Sequence, residues 1–188
     1  MKKEAYIIAG PNGSGKTTFA YQFLRNKKLE FVNADEIAQE LMQTNIEDAR
    51  IKADKLFLKR LKLLIENENN FILESTLSGT YLKNTLKELT AKNYDIYMFF
   101  IFLENEEIAI SRIKERVLQG GHHVPDVDVI RRFKRSIKNF WDYYKSYSKL
   151  WFLYYNSGEG FEEVAFGKKN DYFISDSERF FLFEEKLG

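Results

Sequence analysis

Residues 10–17 read Gly10-Pro11-Asn12-Gly13-Ser14-Gly15-Lys16-Thr17, and they directly follow the apolar stretch Tyr6-Ile7-Ile8-Ala9. Every fixed position of the pattern Gly-x-x-x-x-Gly-Lys-Ser/Thr is present, in which glycines let backbone N–H groups converge on phosphate oxygens. A helix is predicted from Lys16 to about Arg25, and its N-terminus adds partial positive charge at the same point. A chance match to this pattern is disfavoured, because a glycine-rich turn that arose by chance would rarely have both a strand before it and a helix after it. The stretch therefore predicts a phosphate-binding loop.

The side chains of this loop indicate a nucleotide and a metal ion. The Lys16 ammonium group can reach the β and γ phosphates, and the Thr17 hydroxyl can ligate Mg²⁺. We therefore expect ATP and Mg²⁺ as cofactors, with Lys16 also catalytic and Thr17 as the metal ligand. The predicted ATP-binding residues of the loop are Gly10, Pro11, Asn12, Gly13, Ser14, Gly15, Lys16, Thr17 and Thr18.

Apolar runs of strand length alternate with helical patterns along the chain, as in a parallel α/β sheet. Strands are predicted at about 6–9, 30–33, 71–73, 96–103 and 151–155, with small strands near 164–166 and 172–174. Helices are predicted at about 16–25, 47–66, 81–92, 106–118 and 127–144, with a short one at the end. Because 96–103 is the most apolar run, we place it centrally. The pattern predicts an α/β, three-layer P-loop NTPase fold with a mostly parallel sheet, in a single domain spanning 1–188.

Composition excludes several classes of protein. The chain has no cysteine, so disulfide frameworks and thiolate metal sites are ruled out. Its 29 basic and 28 acidic residues give a net charge of +1, which argues against a general nucleic-acid coat or a polybasic membrane anchor. The apolar run 96–103 is too short to span a bilayer, and Met1 to Tyr6 does not resemble a signal peptide. We expect a cytoplasmic protein without a membrane partner.

Carboxylates follow two of the predicted strands, at the sheet edge where an open parallel sheet binds its ligand. Asp35 follows the second strand, and it is a candidate general base that takes the proton of an attacking hydroxyl. An N-cap role for the residues that follow Asp35 is an equally good interpretation of spacing alone. Glu74 ends the third strand, where a buried carboxylate is costly unless it meets a magnesium-bound water, a substrate hydroxyl or a cation.

Residues 112–138 hold eight basic side chains against three acidic ones. The two helices are joined by Gly120-Gly121-His122-His123-Val124-Pro125, and the region 112–135 resembles a lid that brings guanidinium groups to phosphates. The alternative is a pair of amphipathic helices with ordinary charged faces, since apolar residues recur at helical spacing among the charged ones. Under that alternative the apolar stripe of the second helix is Val127, Ile130, Ile137 and Trp141. The arginines for which we favour a catalytic role are Arg116, Arg131 and Arg132.

The order of these motifs resembles the zeta-like branch of the zeta-toxin family of P-loop kinases over nearly the whole chain. The matching segments are residues 9–18, 31–38, 74–78, 112–117, 120–122, 124–125, 130–133 and 155–158. The chain is shorter than characterised zeta toxins, and it has Glu74-Ser75-Thr76 where those toxins typically have Glu-Gly-Thr.

The resemblance implies an adenylate-kinase-like fold and a toxin kinase that uses ATP and Mg²⁺ and is held by a small antitoxin protein. Characterised zeta toxins phosphorylate the 3′-hydroxyl of UDP-N-acetylglucosamine. By the same resemblance the catalytic aspartate is Asp35, and the phosphate-binding lid arginines are Arg116 and either Arg131 or Arg132. Glu74 and Thr76 are then expected to bind the small-molecule acceptor, and Asn156 to contact the nucleotide.

Three functions stay open at this point. The leading one is a small-molecule kinase with a hydroxyl acceptor. The second is a nucleotide-gated binding or regulatory module in which the lid opens and closes but no phosphoryl group is transferred. The third is a polynucleotide 5′-kinase, against which the nearly neutral net charge counts, so that a nucleic-acid partner is not favoured.

Overall fold

A computed structural model describes residues 2–24, 29–43, 49–121 and 123–188. Its described strands form one seven-stranded sheet in the order β2-β3-β1-β4-β5-β6-β7. The strands β2, β3, β1, β4 and β5 are parallel to one another, and β6 and β7 are added antiparallel at one edge. The mostly parallel α/β sheet is thus confirmed, and β4, the most apolar strand, lies at its centre.

The strands agree with the apolar runs to within a few residues. They are β1 Glu4–Ala9, β2 Glu30–Val32, β3 Phe71–Ser75, β4 Asp95–Phe102, β5 Leu150–Tyr155, β6 Glu162–Lys168 and β7 Asp171–Ile174. Phe71 to Leu73, Met98 and Phe100 to Phe102 are fully buried, as the strands of a sheet covered on both faces should be.

The helices are α1 Lys16–Leu24, α2 Ala34–Gln43, α3 Ala49–Glu66, α4 Leu82–Ala91, α5 Glu106–Leu118, α6 Asp126–Asp142 and α7 Ser177–Glu184. A 3-10 helix covers Tyr144–Tyr147. Helix α2 was not predicted as a separate element, and the first two residues of the predicted helix 47–66, like Arg25, fall outside the described residues. Helix α2 begins one residue before Asp35, so the position ahead of the helix belongs to Asn33.

The two faces of the sheet are covered unequally by the described helices. One buried cluster packs side chains of α2 to α7 on one face, and the other contains α1 as its helix. The first face holds both tryptophans: Trp151 of β5 is fully buried, and its ring centroid lies 5.8 Å from that of Trp141 on α6. The predicted three layers are present, with α1 against one face and the other helices against the opposite face. None of the described helices is both long and apolar enough to cross a bilayer.

Helix α6 buries a different stripe from the one predicted for it. Its buried side chains are Val129, Phe133, Ser136, Ile137 and Phe140. The predicted stripe was wrong in its first half, since Val127 is 77% and Ile130 40% exposed. The spacing of three and four residues fits either stripe, and contact with β4, whose Phe100 stacks on Phe140 at 4.2 Å, selects the observed one.

Candidate active site

The glycine-rich loop connects β1 to α1 at the carboxyl edge of the sheet. Gly13 and Gly15 have φ values of 78° and 88°, which side chains rarely adopt. A Cβ atom on Gly13 would lie 2.8 Å from the Ala109 carbonyl oxygen, and one on Gly15 would lie 2.6 Å from Asn156 Nδ2. The loop is therefore fixed between α5 and the end of β5, with the N-terminus of α1 facing the site.

Three polar side chains converge on the carboxylate of Glu74 at the end of β3. Thr17 Oγ1 donates to Glu74 Oε2 at 2.8 Å, and Asn33 Nδ2 donates to the same oxygen at 3.0 Å. Lys16 Nζ lies 3.8 Å from Glu74 Oε1 and donates to the Pro11 carbonyl oxygen at 3.0 Å. The Lys16 and Glu74 side chains are only 7% and 8% exposed. A buried carboxylate is thus stabilised by a cation and two hydrogen-bond donors.

A cleft of about 210 Å³ lies directly over this group. Two arginines of α5, Arg112 and Arg116, line it opposite the loop. Three cations against one buried carboxylate give the cleft the positive charge that phosphates require. The residues that line it are Asn12, Gly13, Gly15, Lys16, Thr17, Thr18, Glu74, Arg112 and Arg116.

Sequence reasoning named Arg116 but not Arg112 among the site residues. Arg112 Nη1 donates to the Asn156 carbonyl oxygen at 2.7 Å and reaches the Gly13 carbonyl oxygen at 3.5 Å, so it joins the loop to the end of β5. Asn156 in turn donates from Nδ2 to the Ser14 carbonyl oxygen at 2.9 Å. The sequence signal that could have identified Arg112 was its position four residues before Arg116, which places both arginines on one helix face.

A second cleft, of about 600 Å³, continues from the first past Gly13, Gly15, Thr18 and Arg112. Its remaining walls come from α1 and from the segment after β5, and they include both polar and aromatic side chains. These residues are Gln22, Asn156, Gly158, Glu159, Gly160 and Phe161. The two clefts together have the extent and the chemistry of a site for a phosphate chain joined to a larger organic group.

The residues present fit ATP and Mg²⁺. Ser14 Oγ and Asn12 Oδ1 are buried without a hydrogen-bond partner among the residues that the structure describes, which leaves polar atoms in the loop for a ligand. A threonine hydroxyl beside a carboxylate oxygen is the oxygen donor set that Mg²⁺ takes, usually together with waters and substrate phosphates. Thr17 and Glu74 would hold that ion, and Lys16 would contact the phosphates.

The other predicted site residues are placed as follows. Asp35 is the second residue of α2, and its side chain lies outside the described part of the structure. Thr76 follows β3, with its hydroxyl 2.9 Å from Ser78 Oγ. Arg131 pairs with Asp128 at 2.7 Å on the exposed face of α6, and neither it nor Arg132 is among the residues lining the two clefts. The structure thus brings together the loop, Glu74, Asn156 and Arg116. His122, of the predicted hinge, is not described.

The parallel sheet, the glycine-rich loop and the lysine–threonine pair at the start of α1 define the P-loop NTPase fold. Residues 6–140 match the AAA_33 model, an AAA domain, and the chain belongs to that family. An uncharacterized protein of Haemophilus influenzae is 29% identical over 131 residues, which cover 70% of this chain and 92% of that protein. A cytidylate kinase of Archaeoglobus fulgidus is 26% identical over 178 residues, covering 84% and 89%.

Solved structures share the fold at low sequence identity. The AvrRxo1-ORF1:-ORF2 complex with ATP has a TM-score of 0.74 at 15% identity, covering 100% of this chain and 64% of that chain. This chain therefore spans less than two thirds of that one. The PezAT toxin–antitoxin system of Streptococcus pneumoniae has a TM-score of 0.65 at 15% identity, covering 99% and 86%.

Proposed function

We propose that the protein is an ATP-dependent phosphotransferase that acts on a hydroxyl group of a small molecule. The observation that carries the proposal is the buried group of Lys16, Thr17 and Glu74, which lies under a cleft whose other wall is Arg112 and Arg116. Positively charged groups on both sides of one cleft match the charge that spreads over a phosphoryl group during transfer.

Each of these residues has a role in the proposed reaction. Lys16 neutralises the β and γ phosphates of ATP, and Arg116 stabilises the transferring group from the opposite wall. Arg112 holds the glycine-rich loop against Asn156. Thr17 and Glu74 would hold a magnesium ion, which would supply further positive charge at the phosphates.

Asp35 is the proposed general base. It follows β2, which pairs with β3 through Val32 and Leu73, and Glu74 is the next residue of β3. Asn33, two residues before Asp35, donates to Glu74. The position of Asp35 in the chain, two residues after a side chain that contacts Glu74, supports this role, because a carboxylate beside the phosphate cleft can accept the proton of an attacking hydroxyl.

A nucleotide sugar is the proposed acceptor, with the 3′-hydroxyl of UDP-N-acetylglucosamine as the leading candidate and Glu74 and Thr76 as its binding residues. The resemblance of the motif order to the zeta-toxin family supports this choice. A nucleoside monophosphate is the second candidate, because a cytidylate kinase matches most of this chain.

Local ion pairs argue against a polynucleotide acceptor. Four basic side chains in or next to the predicted lid have an acidic neighbour: Lys114 with Asp126, Arg131 with Asp128, Lys134 with Glu106 and Lys138 with Asp142. Paired charges attract a phosphate backbone less than free ones do. A small antitoxin partner, a cytoplasmic location and a single kinase domain with its lid at about 112–135 are further parts of this proposal.

Incubation with γ-labelled ATP and a panel of acceptors tests the proposed function. The panel holds UDP-N-acetylglucosamine, CMP, free nucleosides and a 5′-hydroxyl oligonucleotide, and mass spectrometry identifies the products. We expect a singly phosphorylated nucleotide sugar. Nucleotide binding without any phosphorylated product would favour the regulatory module, and a labelled oligonucleotide would favour the polynucleotide kinase.

A further inference from the structure

Three side chains from the α6 region hold the loop that follows Glu74. Ser136 Oγ donates to the Thr76 carbonyl oxygen at 2.5 Å, and Asn139 Nδ2 donates to the Leu77 carbonyl oxygen at 2.7 Å. Tyr144, in the 3-10 helix after α6, donates from its hydroxyl to the Gly79 carbonyl oxygen at 2.6 Å. Residues 76–79 are here called the acceptor loop.

Two of the side chains that donate these hydrogen bonds are fully buried. Ser136 and Tyr144 are both 0% exposed, and Ser136 lies in the otherwise apolar stripe of α6. A hydroxyl buried among apolar side chains is costly unless it is hydrogen-bonded, and the loop carbonyls supply the partners. A serine in this stripe is therefore explained by the loop that it holds.

The conformation of the acceptor loop needs such support. Leu77 has a φ of 53°, a left-handed conformation that is unfavourable for a leucine, and its side chain is 1% exposed. Asn139 donates to the carbonyl oxygen of this same residue. The contacts with α6 thus help to stabilise a backbone that would otherwise relax.

The loop connects α6 with the chemistry of the site. Thr76 is two residues after Glu74, which contacts Lys16 and Thr17. Arg132 precedes Ser136 by four residues and Asn139 by seven, so the three residues lie on the same side of α6. Any displacement of the acceptor loop relative to α6 would change the spacing between Thr76 and Arg132.

We propose that Ser136, Asn139 and Tyr144 are positioning residues for the acceptor: they fix the acceptor loop so that Thr76 and Glu74 meet the acceptor beside the phosphate cleft. This inference rests on the proposed phosphotransferase function. In the described part of the chain, the side-chain hydrogen bonds of these three residues go to the acceptor loop and not to the glycine-rich loop, so their effect is expected on the acceptor and not on ATP. Misplacement of an acceptor by about 1 Å can cost up to about 10²-fold in rate.

The test compares Ser136→Ala, Asn139→Ala and Tyr144→Phe with two matched controls. Ser148→Ala removes another buried serine hydroxyl, which donates to the Lys145 carbonyl oxygen, and Tyr143→Phe removes a hydroxyl that pairs with Tyr147. Hydrogen exchange is measured at residues 76–79 in each full-length protein. Steady-state kinetics give KM for UDP-N-acetylglucosamine and for ATP, and circular dichroism checks folding.

We expect faster exchange at 76–79 and an acceptor kcat/KM lowered by about tenfold in the three variants, with KM for ATP within about twofold of wild type. The controls should keep wild-type values for both. Unchanged exchange, or a shift of both KM values together, would overturn the inference. If wild type phosphorylates no panel compound, the proposed function fails, and exchange at 76–79 alone then supports or overturns the anchoring.

Discussion

Glu74 is the residue at which the end of β3, the start of α1 and the segment after β2 meet. Its carboxylate lies among Lys16, Thr17 and Asn33, and leaving it buried without them would cost several kcal/mol. The same arrangement keeps Lys16 and Thr17 in fixed positions before any nucleotide binds. Preorganised groups of this kind lose little free energy to reorganisation during reaction.

Replacement of Lys16 tests the phosphate site at its centre. We expect Lys16→Ala to lower phosphoryl transfer by at least about 10²- to 10³-fold, because the charge between the β and γ phosphates is lost while the glycines stay. Labelled-ATP assays measure the rate. Lys114→Ala, which removes an exposed lysine paired with Asp126, is the control and should keep normal activity. Wild-type turnover of Lys16→Ala would contradict the assignment of the phosphate site.

Replacement of Asp35 tests the proposed general base. We expect Asp35→Asn to leave folding and ATP affinity nearly unchanged and to lower transfer by about 10²- to 10⁴-fold, the usual contribution of a positioned general base. Asparagine keeps the size of the side chain and removes its basicity, so a purely structural role of Asp35 in the first turn of α2 would preserve activity. Calorimetric ATP binding and the transfer rate are measured on the same preparations.

Helix α6 combines a buried stripe with a charged face, and its two central arginines lie on different sides of the helix. Arg131 points to the exposed side and pairs with Asp128, whereas Arg132 lies on the stripe of Ser136 and Asn139. Arg132 is the better placed of the two for the acceptor side of the site.

We therefore expect Arg132→Ala to lower kcat more than Arg131→Ala, by about tenfold or more, with little effect on ATP binding. The transition state gains more from the guanidinium group than bound ATP does, because charge spreads over the phosphoryl group as it transfers. Steady-state kinetics of both variants decide the question. Equal activity of the two variants would indicate that both arginines belong to an ordinary charged helix face.

The hydroxyl of Tyr144 must be protonated to donate to the Gly79 carbonyl oxygen, and burial raises the pKa of Tyr144 to about 12. Because the folded-state pKa lies above the unfolded value of about 10, the stability from this group is complete below pH 10 and is lost as pH rises through 12.

We expect Tyr144→Phe to flatten the alkaline fall in the free energy of unfolding between pH 10 and 12, by up to about 3 kcal/mol. Denaturant titrations at several pH values measure it. The pKa of Tyr21 is also raised to about 12, by its hydrogen bond to Glu36. The contribution of Tyr21 to the alkaline fall is the same in wild type and in Tyr144→Phe, so it cancels in the comparison. Parallel profiles for wild type and variant would refute the expectation.

The sequence predicts the elements well where a pattern is local. The alternation of apolar runs locates the parallel strands and the central place of β4, and the bounds of α5 agree at both ends. The prediction fails where tertiary contacts decide. The stripe of α6 depends on Phe100 of β4, and the role of Arg112 depends on a carbonyl oxygen 44 residues away at Asn156. Neither long-range contact leaves a periodic signal in the chain.

At the scale of the whole molecule, the clefts and the bulk of the core share one sheet but use different parts of it. The glycine-rich loop and Asn156 follow β1 and β5, and Glu74 lies near the end of β3, so all three are at the carboxyl edge of the sheet, where an open parallel sheet binds ligands. The large buried cluster beneath α2 to α7 extends across the rest of one face. Substitutions confined to the loop should thus change activity with little loss of stability, whereas truncation of Phe100 or Phe140 should cost about 3–5 kcal/mol.

The pairing of Trp141 with Trp151 gives the protein a built-in optical reporter. Both indoles lie in the layer of α6, β5 and α7, with the ammonium group of Lys145 4.3 Å from the ring centroid of Trp141, and the chain has no other tryptophan. Intrinsic emission excited at the red edge therefore reports the packing of α6 on the sheet and not the nucleotide cleft directly. An emission change on adding ATP or an acceptor would mean that α6 has shifted, and constant emission would mean that α6 keeps its packing on the sheet.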